Sequence, residues 1–314
     1  MGKRRLIDDH RFWLAFVCCV CLLLAGWAQA LDCSVCGSQI EGRFLRTEDR
    51  VFCSETCYQS ILPKCELCGQ PLSTAVIIDG RHYCEKHAEG SRCWKSGLPF
   101  AVGVELPDGR WFSRESYRQG VFDPAQAQRG YRLAAADLQR VTGLRMTDLP
   151  PMSLVGLDEI RRRRDYEPGD TMIERGMYAR RQTTTRRVDR RGRVLDQQIS
   201  NESEILLLYG LDRQEVLVTA VHELTHHLLA EHFPRFAAFA PLWAEEGICQ
   251  YLAAIVAQRR GYTRLVEQIE NSPDPVYGDG YRYFRRLYGR NNWPAIRAWL
   301  DDFDHAHGLP GQAP

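Results

Sequence analysis

The segment His222-Glu223-Leu224-Thr225-His226 has the residue types and spacing of a zinc-dependent hydrolytic centre. On a helix, His222 and His226 project from one face, so both imidazoles can share one metal ion. Glu223 is turned by about 100° from His222, so its carboxylate can reach a water on the metal rather than the metal itself. Zinc lowers the pKa of its bound water, and Glu223 would act as the general base.

The residues before this segment predict a buried helix that carries it. Asp212-x2-Glu215 is typical of a capping box, and apolar residues follow over the next four turns, which favours a helix from about 213 to 230. The apolar run from Glu204 to Gly210 predicts a core strand directly ahead of it. The alternative is a chance polar patch on a helix, but a buried histidine pair with a carboxylate is costly unless it has a partner.

A third protein ligand is expected about twenty residues later, where Trp243-Ala244-Glu245-Glu246-Gly247 begins another predicted helix. Adjacent helical residues diverge by about 100°, so only one of the two glutamates can face the metal. The spacing of Trp243, Glu246, Gly247 and Tyr251 resembles the third-ligand helix of gluzincin-type metallopeptidases, and this resemblance implies Glu246. The intervening loop is one residue longer than in the aminopeptidases of that group, which keeps Glu245 as the alternative.

Three further features near this helix have weaker interpretations. Cys249 and Tyr251 are interpreted as packing residues, and His227 and His232 as non-ligands. The aromatic turn from Val276 to Tyr281 could supply a tyrosine to the oxyanion or be an ordinary turn.

A unit of about 30 residues occurs three times between residues 33 and 116. Each copy has a Cys-x2-Cys-Gly or Cys-x2-Ser-Gly knuckle, an Asp-containing turn with aromatic residues, and a second pair of small or ligand-type residues. Serine replaces three of the four ligands in the third copy, so we expect apolar packing to hold its shape. The ligand positions are Cys33, Cys36, Cys53 and Cys57 in the first copy, Cys65, Cys68, Cys84 and His87 in the second, and Cys93, Ser96, Ser113 and Ser116 in the third.

The first two copies are typical of closed tetrahedral zinc sites. A disulfide framework is the alternative, because the chain carries an export signal and oxidising compartments favour disulfides. His87 argues for zinc, since a disulfide has no use for a histidine in the fourth position. We therefore expect about three zinc ions per chain, two structural and one catalytic.

The N-terminus resembles a secretory signal. Lys3-Arg4-Arg5 precedes an apolar run from Phe12 to Trp27, and Ala28-Gln29-Ala30 fits signal peptidase. The run is shorter than the roughly 20 residues of a membrane-spanning helix, although an uncleaved anchor is the alternative. Either form predicts export of the body to the periplasm or the medium.

The composition and length limit the possible number of domains and the possible binding partners. The 314 residues are 44% apolar, enough for one sizeable core and a smaller module. The 41 Lys and Arg residues nearly balance 40 Asp and Glu residues, so no overall field attracts nucleic acid or an anionic membrane. The middle of the chain predicts helices over about 123–143 and 157–164, and a basic hairpin over about 172–195 around Asp189 to Gly192.

Taken in order, these motifs resemble the LIM-containing peptidases of the plant DA-one family. The specific parts are Glu245-Glu246-Gly247-Ile248-Cys249-Gln250 and Tyr277-Gly278-Asp279-Gly280, and the similarity covers roughly residues 60 to 290. The resemblance implies a protease acting on proteins, with a LIM-like module that docks or regulates the substrate. The export signal, the absence of ubiquitin-binding helices ahead of the fingers and the third copy without ligands depart from the plant members.

The expected fold class is α+β, with a signal segment at 1–30, LIM-like repeats at 31–120, and a mainly helical, gluzincin-like metallopeptidase domain with a short β-sheet at 121–314. The expected partners are protein or peptide substrates and a protein bound by the fingers, without nucleic acid, and with a membrane only if the anchor is retained. The alternative function is an adaptor that binds partners through its fingers and keeps an inactive or purely structural metal centre.

Overall fold

The computed structural model describes residues 31–164, 175–188 and 194–306. The predicted signal segment and the predicted hairpin turn at Asp189 to Gly192 lie outside these ranges. The chain is a mixed α/β protein with two compact units, and the boundary between them in the sequence falls between Gly90 and Ser91. No helix in the described part of the chain is both long and apolar enough to cross a bilayer.

The first unit contains the first two repeats, and each is a short antiparallel hairpin followed by a helix. The hairpins pair β1 (Leu45–Arg46) with β2 (Val51–Phe52), and β3 (Val76–Ile78) with β4 (Arg81–Tyr83). Helix α1 (Glu55–Ile61) follows the first and α2 (Glu85–Ala88) the second.

The third repeat has the same local structure but belongs to the second unit. It pairs β5 (Gly103–Glu105) with β6 (Trp111–Ser113), and α3 (Arg114–Gln119) follows. The knuckle glycines Gly37, Gly69 and Gly97 all adopt φ near 70°, a conformation that favours glycine. The threefold repeat inferred from sequence is therefore confirmed at the backbone.

The rest of the second unit packs helices around the buried helix that carries His222. That helix, α6 (Arg213–His232), contacts α4 (Pro124–Thr142) and α8 (Leu242–Arg259). The other helices are α5 (Leu157–Arg164), α7 (Pro234–Phe239), α9 (Thr263–Glu270), α10 (Tyr277–Tyr288) and α11 (Trp293–Ala306).

Helix ends confirm the sequence signals. Asp123 caps α4 and Gly143 ends it at φ 69°, as a cap and a glycine stop predict. At α6 both halves of the capping box are present: the Asp212 carboxylate accepts from the Glu215 amide, and the Glu215 carboxylate accepts from the Asp212 amide. The predicted helices over 123–143, 157–164 and 213–230 are thus confirmed, the last one two residues longer than expected.

One sheet of three strands lies beside α6, in the order β7 (Met152–Val155), β9 (Val194–Leu208), β8 (Gly176–Val188). β8 and β9 are antiparallel, and β7 runs parallel to β9. The predicted basic hairpin and the predicted core strand are therefore one feature, because the buried residues Ile205 to Leu208 form the end of β9. The sheet is longer than expected, since its central and edge strands have 15 and 13 residues.

Candidate functional site

The histidines of α6 lie side by side in the interior. His222 is buried and the His226 side chain is only 11% exposed, and their ring centroids are 5.1 Å apart. Leu224 and Leu228, which point to other sides of the helix, are fully buried and fix the helix in the core. The packing of this helix in the core therefore fixes the positions of the two imidazoles, and both lie in an environment of low dielectric constant.

Glu246 reaches both histidines from α8. Its Oε2 atom lies 2.9 Å from Nε2 of His222 and 3.4 Å from Nε2 of His226. Burial would raise the pKa of Glu246, but hydrogen bonds with the two histidines hold it well below its usual range. The carboxylate is charged, which is the form that binds a metal. Two imidazoles and one carboxylate converge here, and this donor set fits zinc.

Glu245 contacts the same histidine pair differently. Its Oε1 atom lies 2.8 Å from Nδ1 of His226, on the ring edge away from Glu246. A carboxylate that accepts the Nδ1 proton leaves the Nε2 lone pair of His226 free for a metal. The ring of Tyr178 lies parallel to that of His226, at 1° and 6.2 Å between centroids. Both contacts fix the orientation of His226.

Cys249 is a feature that the sequence interpretation missed. It follows Glu246 by three residues on the same face of α8, and its Sγ atom and a ring nitrogen of each of His222 and His226 lie within 4.8 Å of one another. These three buried groups could hold a metal ion. Burial raises the pKa of the Cys249 thiol to about 12. The i, i+3 spacing from Glu246 is the signal that would have found it.

Glu223 and Tyr277 line one cleft with the histidines. The cleft has a volume of about 760 Å³. Glu223 faces the start of β8, where a Cβ built on Gly176 would lie 2.8 Å from Glu223 Oε1. The Tyr277 ring lies 5.8 Å from that of His222 between centroids. The structure thus brings the predicted base and one tyrosine of the aromatic turn close to the histidines that could hold a metal ion.

Two glycines allow Tyr277 to come so close. A Cβ on Gly247 of α8 would lie 2.6 Å from the carbonyl carbon of Gly280 in α10, and a Cβ on Gly280 would overlap the carbonyl oxygen of Trp243. The backbones of the two helices therefore touch at this point. This contact explains why Glu-Glu-Gly and Tyr-Gly-Asp-Gly occur together in one site.

His227 and His232 lie outside this donor set, as expected. Nε2 of His227 donates to the carbonyl oxygen of Asp148, and Nε2 of His232 donates to that of Arg145, each at 2.9 Å. Both histidines attach α6 to neighbouring loops.

The first unit holds two further clusters that could bind metal. Their ligand atoms lie within 4.8 Å of one another in each cluster, and none of the described cysteines is in a disulfide. Cys36 and Cys53 have their sulfurs 3.6 Å apart, and Cys84 Sγ lies 3.2 Å from Nδ1 of His87. Tetrahedral zinc with bonds of about 2.3 Å separates its sulfurs by about 3.8 Å. The clusters are Cys33, Cys36, Cys53 and Cys57, and Cys65, Cys68, Cys84 and His87.

A buried ion pair lies in the hairpin turn of the third repeat, and it contacts the rest of the second unit through the Leu157 amide and the Tyr209 carbonyl. Arg110 and Asp108 pair at 2.8 Å, and the Arg110 guanidinium lies 4.6 Å from the centre of the Trp94 ring. Cys93 keeps a thiol, and although burial raises its pKa, hydrogen bonds from Ser116 and from the backbone lower it to about 7. The expectation that apolar packing alone holds this copy is therefore incomplete, because the hydroxyl groups of Ser113 and Ser116 form a hydrogen bond at 3.1 Å at its ligand positions.

Comparison with protein-family models, with curated proteins and with solved structures gives no match. The inferences about function therefore rest on the residues and geometry described above.

Proposed function

We propose that this chain is a zinc-dependent endopeptidase that hydrolyses peptide bonds of protein substrates. The observation that carries the proposal is the convergence of His222, His226 and Glu246 beside Glu223 in one cleft. Three protein ligands leave a fourth position for water, which is the arrangement of catalytic rather than structural zinc.

His222, His226 and Glu246 would hold the metal, and Glu245 would keep His226 in the correct tautomer. When bound, zinc lowers the pKa of a coordinated water towards 7 and polarises the scissile carbonyl. Glu223 accepts the proton of the attacking water and delivers it to the leaving amine. The Tyr277 hydroxyl donates a hydrogen bond to the carbonyl oxygen as negative charge develops there.

A protein substrate is favoured by the strand beside the base. β8 is an edge strand of the described sheet, and it begins at Gly176 next to Glu223. An extended peptide can add to such an edge through backbone hydrogen bonds, which do not depend on side-chain identity. A peptide bound in this way would bring its scissile bond within reach of Glu223.

The finer assignments belong to the same proposal. We assign the second unit to the gluzincin-like type and the repeats to a LIM-like module that docks or regulates the substrate, as in the plant DA-one family. We also propose that the body is exported. The paired knuckles, the Glu-Glu-Gly helix and the basic, apolar N-terminus support these assignments.

A second candidate function has one observation in its favour. Cys249 offers a fourth protein donor to the same centre, and four protein ligands would close the site as in structural zinc. The chain would then be an adaptor that binds partners through its fingers.

The test is digestion of a denatured protein mixture by the purified full chain. The peptidase proposal expects cleavage that a chelator abolishes and added zinc restores. A full complement of zinc without chelator-sensitive cleavage would support the adaptor instead.

A further inference from the structure

The cleft follows one face of α6 away from the histidines. Glu215, Thr219 and His222 all line it, and Glu215 precedes His222 by seven residues, or two helical turns. At 1.5 Å per residue, Glu215 lies about 10 Å along the helix from the metal-binding histidine. The far end of the cleft is therefore within reach of the same bound peptide.

A cluster of charges fills that far end. Glu215 is 2% exposed and faces three cations, Lys95 at 3.2 Å, Arg175 at 3.3 Å and Arg264 at 3.7 Å. Asp212 pairs with Lys95 at 2.7 Å and with Arg264 at 3.1 Å. Within this group of ion pairs, three cations face two carboxylates.

The two arginines are anchored and still accessible. The side chains of Arg175 and Arg264 are 42% and 48% exposed, and both line the cleft. The buried Glu215 carboxylate holds one side of each guanidinium group, which reduces the entropy lost when the other side binds a ligand. A guanidinium group presents paired donors that match a carboxylate.

Two further side chains, Gln268 and Glu267, lie at this end of the cleft. Gln268 accepts from Arg264 at 3.4 Å and is neutral. Glu267 is an exposed carboxylate of the lining, and among the described residues it forms no ion pair with Arg175 or Arg264, so their guanidinium groups stay available to a ligand.

We propose that Arg175 and Arg264 form a carboxylate subsite that selects the peptide substrate. An extended chain advances about 3.3 Å per residue, so the subsite lies about three residues from the scissile bond. The carboxylate comes from an Asp or Glu side chain or from the C-terminus of the substrate. This inference rests on the proposed peptidase function.

The test uses quenched fluorescent peptides of about eight residues and the full chain. One series carries Glu or Gln three residues before or after the scissile bond, and a second ends there in a free acid or an amide. We expect the carboxylate form to have a kcat/KM roughly tenfold above its neutral partner. A preference for Glu over Gln in the first series identifies a side chain as the source of the bound carboxylate. A preference for the free acid over the amide in the second series identifies the C-terminus.

Arg175→Gln and Arg264→Gln should each reduce this ratio several-fold, and Arg264→Lys should give an intermediate ratio. Arg286→Gln, an exposed arginine outside the cleft, is the matched control and should keep the wild-type ratio. Melting temperatures of all variants identify any loss of folding. Cleavage with equal rates for charged and neutral peptides overturns the subsite alone. If the wild type cleaves no peptide, the peptidase proposal fails and the subsite with it.

Discussion

The Oε2 atom of Glu246 lies 2.9 Å from Nε2 of His222, although the two residues are separated by 24 positions in sequence. Glu245 instead contacts His226 at Nδ1, the nitrogen that faces away from Glu246. Neighbouring glutamates thus have different tasks. In the proposed zinc site, Glu246 would be a ligand and Glu245 would orient His226.

This difference predicts different effects on zinc binding for a matched pair of substitutions. Glu246→Ala should remove the catalytic zinc, because only two ligands of the set remain. Glu245→Ala should retain that zinc at saturating metal but bind it about 10- to 100-fold more weakly, as expected for loss of an orienting carboxylate. Zinc content and chelator competition measure both effects. The reverse order of losses would make Glu245 the ligand.

The substitution Cys249→Ser distinguishes an open, catalytic zinc site from a closed, structural one. With Glu246 as third ligand and water as the fourth, the variant should keep its zinc and cleave peptides at close to the wild-type rate. If the thiolate closes the site, the substitution should open it and raise the rate. Cys93→Ser, at the other thiol of the second unit, serves as the control.

The contact between Gly247 and Gly280 should be sensitive to a single methyl group. Gly280→Ala would force its Cβ into the Trp243 carbonyl oxygen, so α10 must move and carry Tyr277 away from His222. We expect a loss of about 1–3 kcal/mol in the free energy of unfolding together with reduced turnover. Gly90→Ala, whose Cβ would have its nearest neighbour at 3.4 Å, should change neither. Thermal unfolding and peptide cleavage test the pair.

The finger clusters predict the metal stoichiometry. The purified chain should contain about three zinc ions. His87→Ala should lower the zinc content by one ion per chain and leave the rate of peptide cleavage unchanged. His87→Cys should restore the ion, since four thiolates also bind zinc. A wild-type content near one, with no free thiols, would instead show a disulfide framework.

Acid should weaken the N-terminus of α6. Burial would raise the pKa of Asp212, but Lys95, the Glu215 amide and Arg264 lower it. A carboxyl group whose pKa is lower in the folded state stabilises the fold fully above its unfolded pKa of about 4, and this contribution is lost as the pH falls through the folded value. Asp212→Asn should therefore lower the melting temperature at pH 7. The melting temperature of this variant should also fall less than that of the wild type as the pH is lowered. The same dependence on pH in wild type and variant would contradict this role, and the exposed Asp302→Asn is the control.

Local signals were sufficient for much of the helical framework. The α6 helix follows from its capping box and apolar face, and α4 from Asp123 and Gly143, because caps and periodicity act within a few residues. The extent of β9 was not predictable in this way. Residues 194–198 are exposed and Ile205 to Leu208 are buried, so the two ends of one strand have different sequence patterns.

Long-range contacts account for the parts of the site that sequence could not supply. The Nδ1 contact of Glu245 depends on how α8 packs against α6, and the Arg175 and Arg264 contacts with Glu215 join residues 40 and 49 positions apart. In the third repeat, Asp108 likewise accepts from the Leu157 amide and Arg110 donates to the Tyr209 carbonyl, 49 and 99 positions away. Such contacts are set by tertiary structure rather than by local propensity.

The most direct measurement compares wild type with Glu223→Gln for zinc content and for kcat/KM on one quenched peptide. Glu223 lines the cleft but is not among the proposed ligands, so the variant should bind the same amount of zinc as wild type. Its kcat/KM should fall by about a hundredfold or more, as expected for loss of a general base. Unchanged cleavage by the zinc-loaded variant would contradict the proposed mechanism.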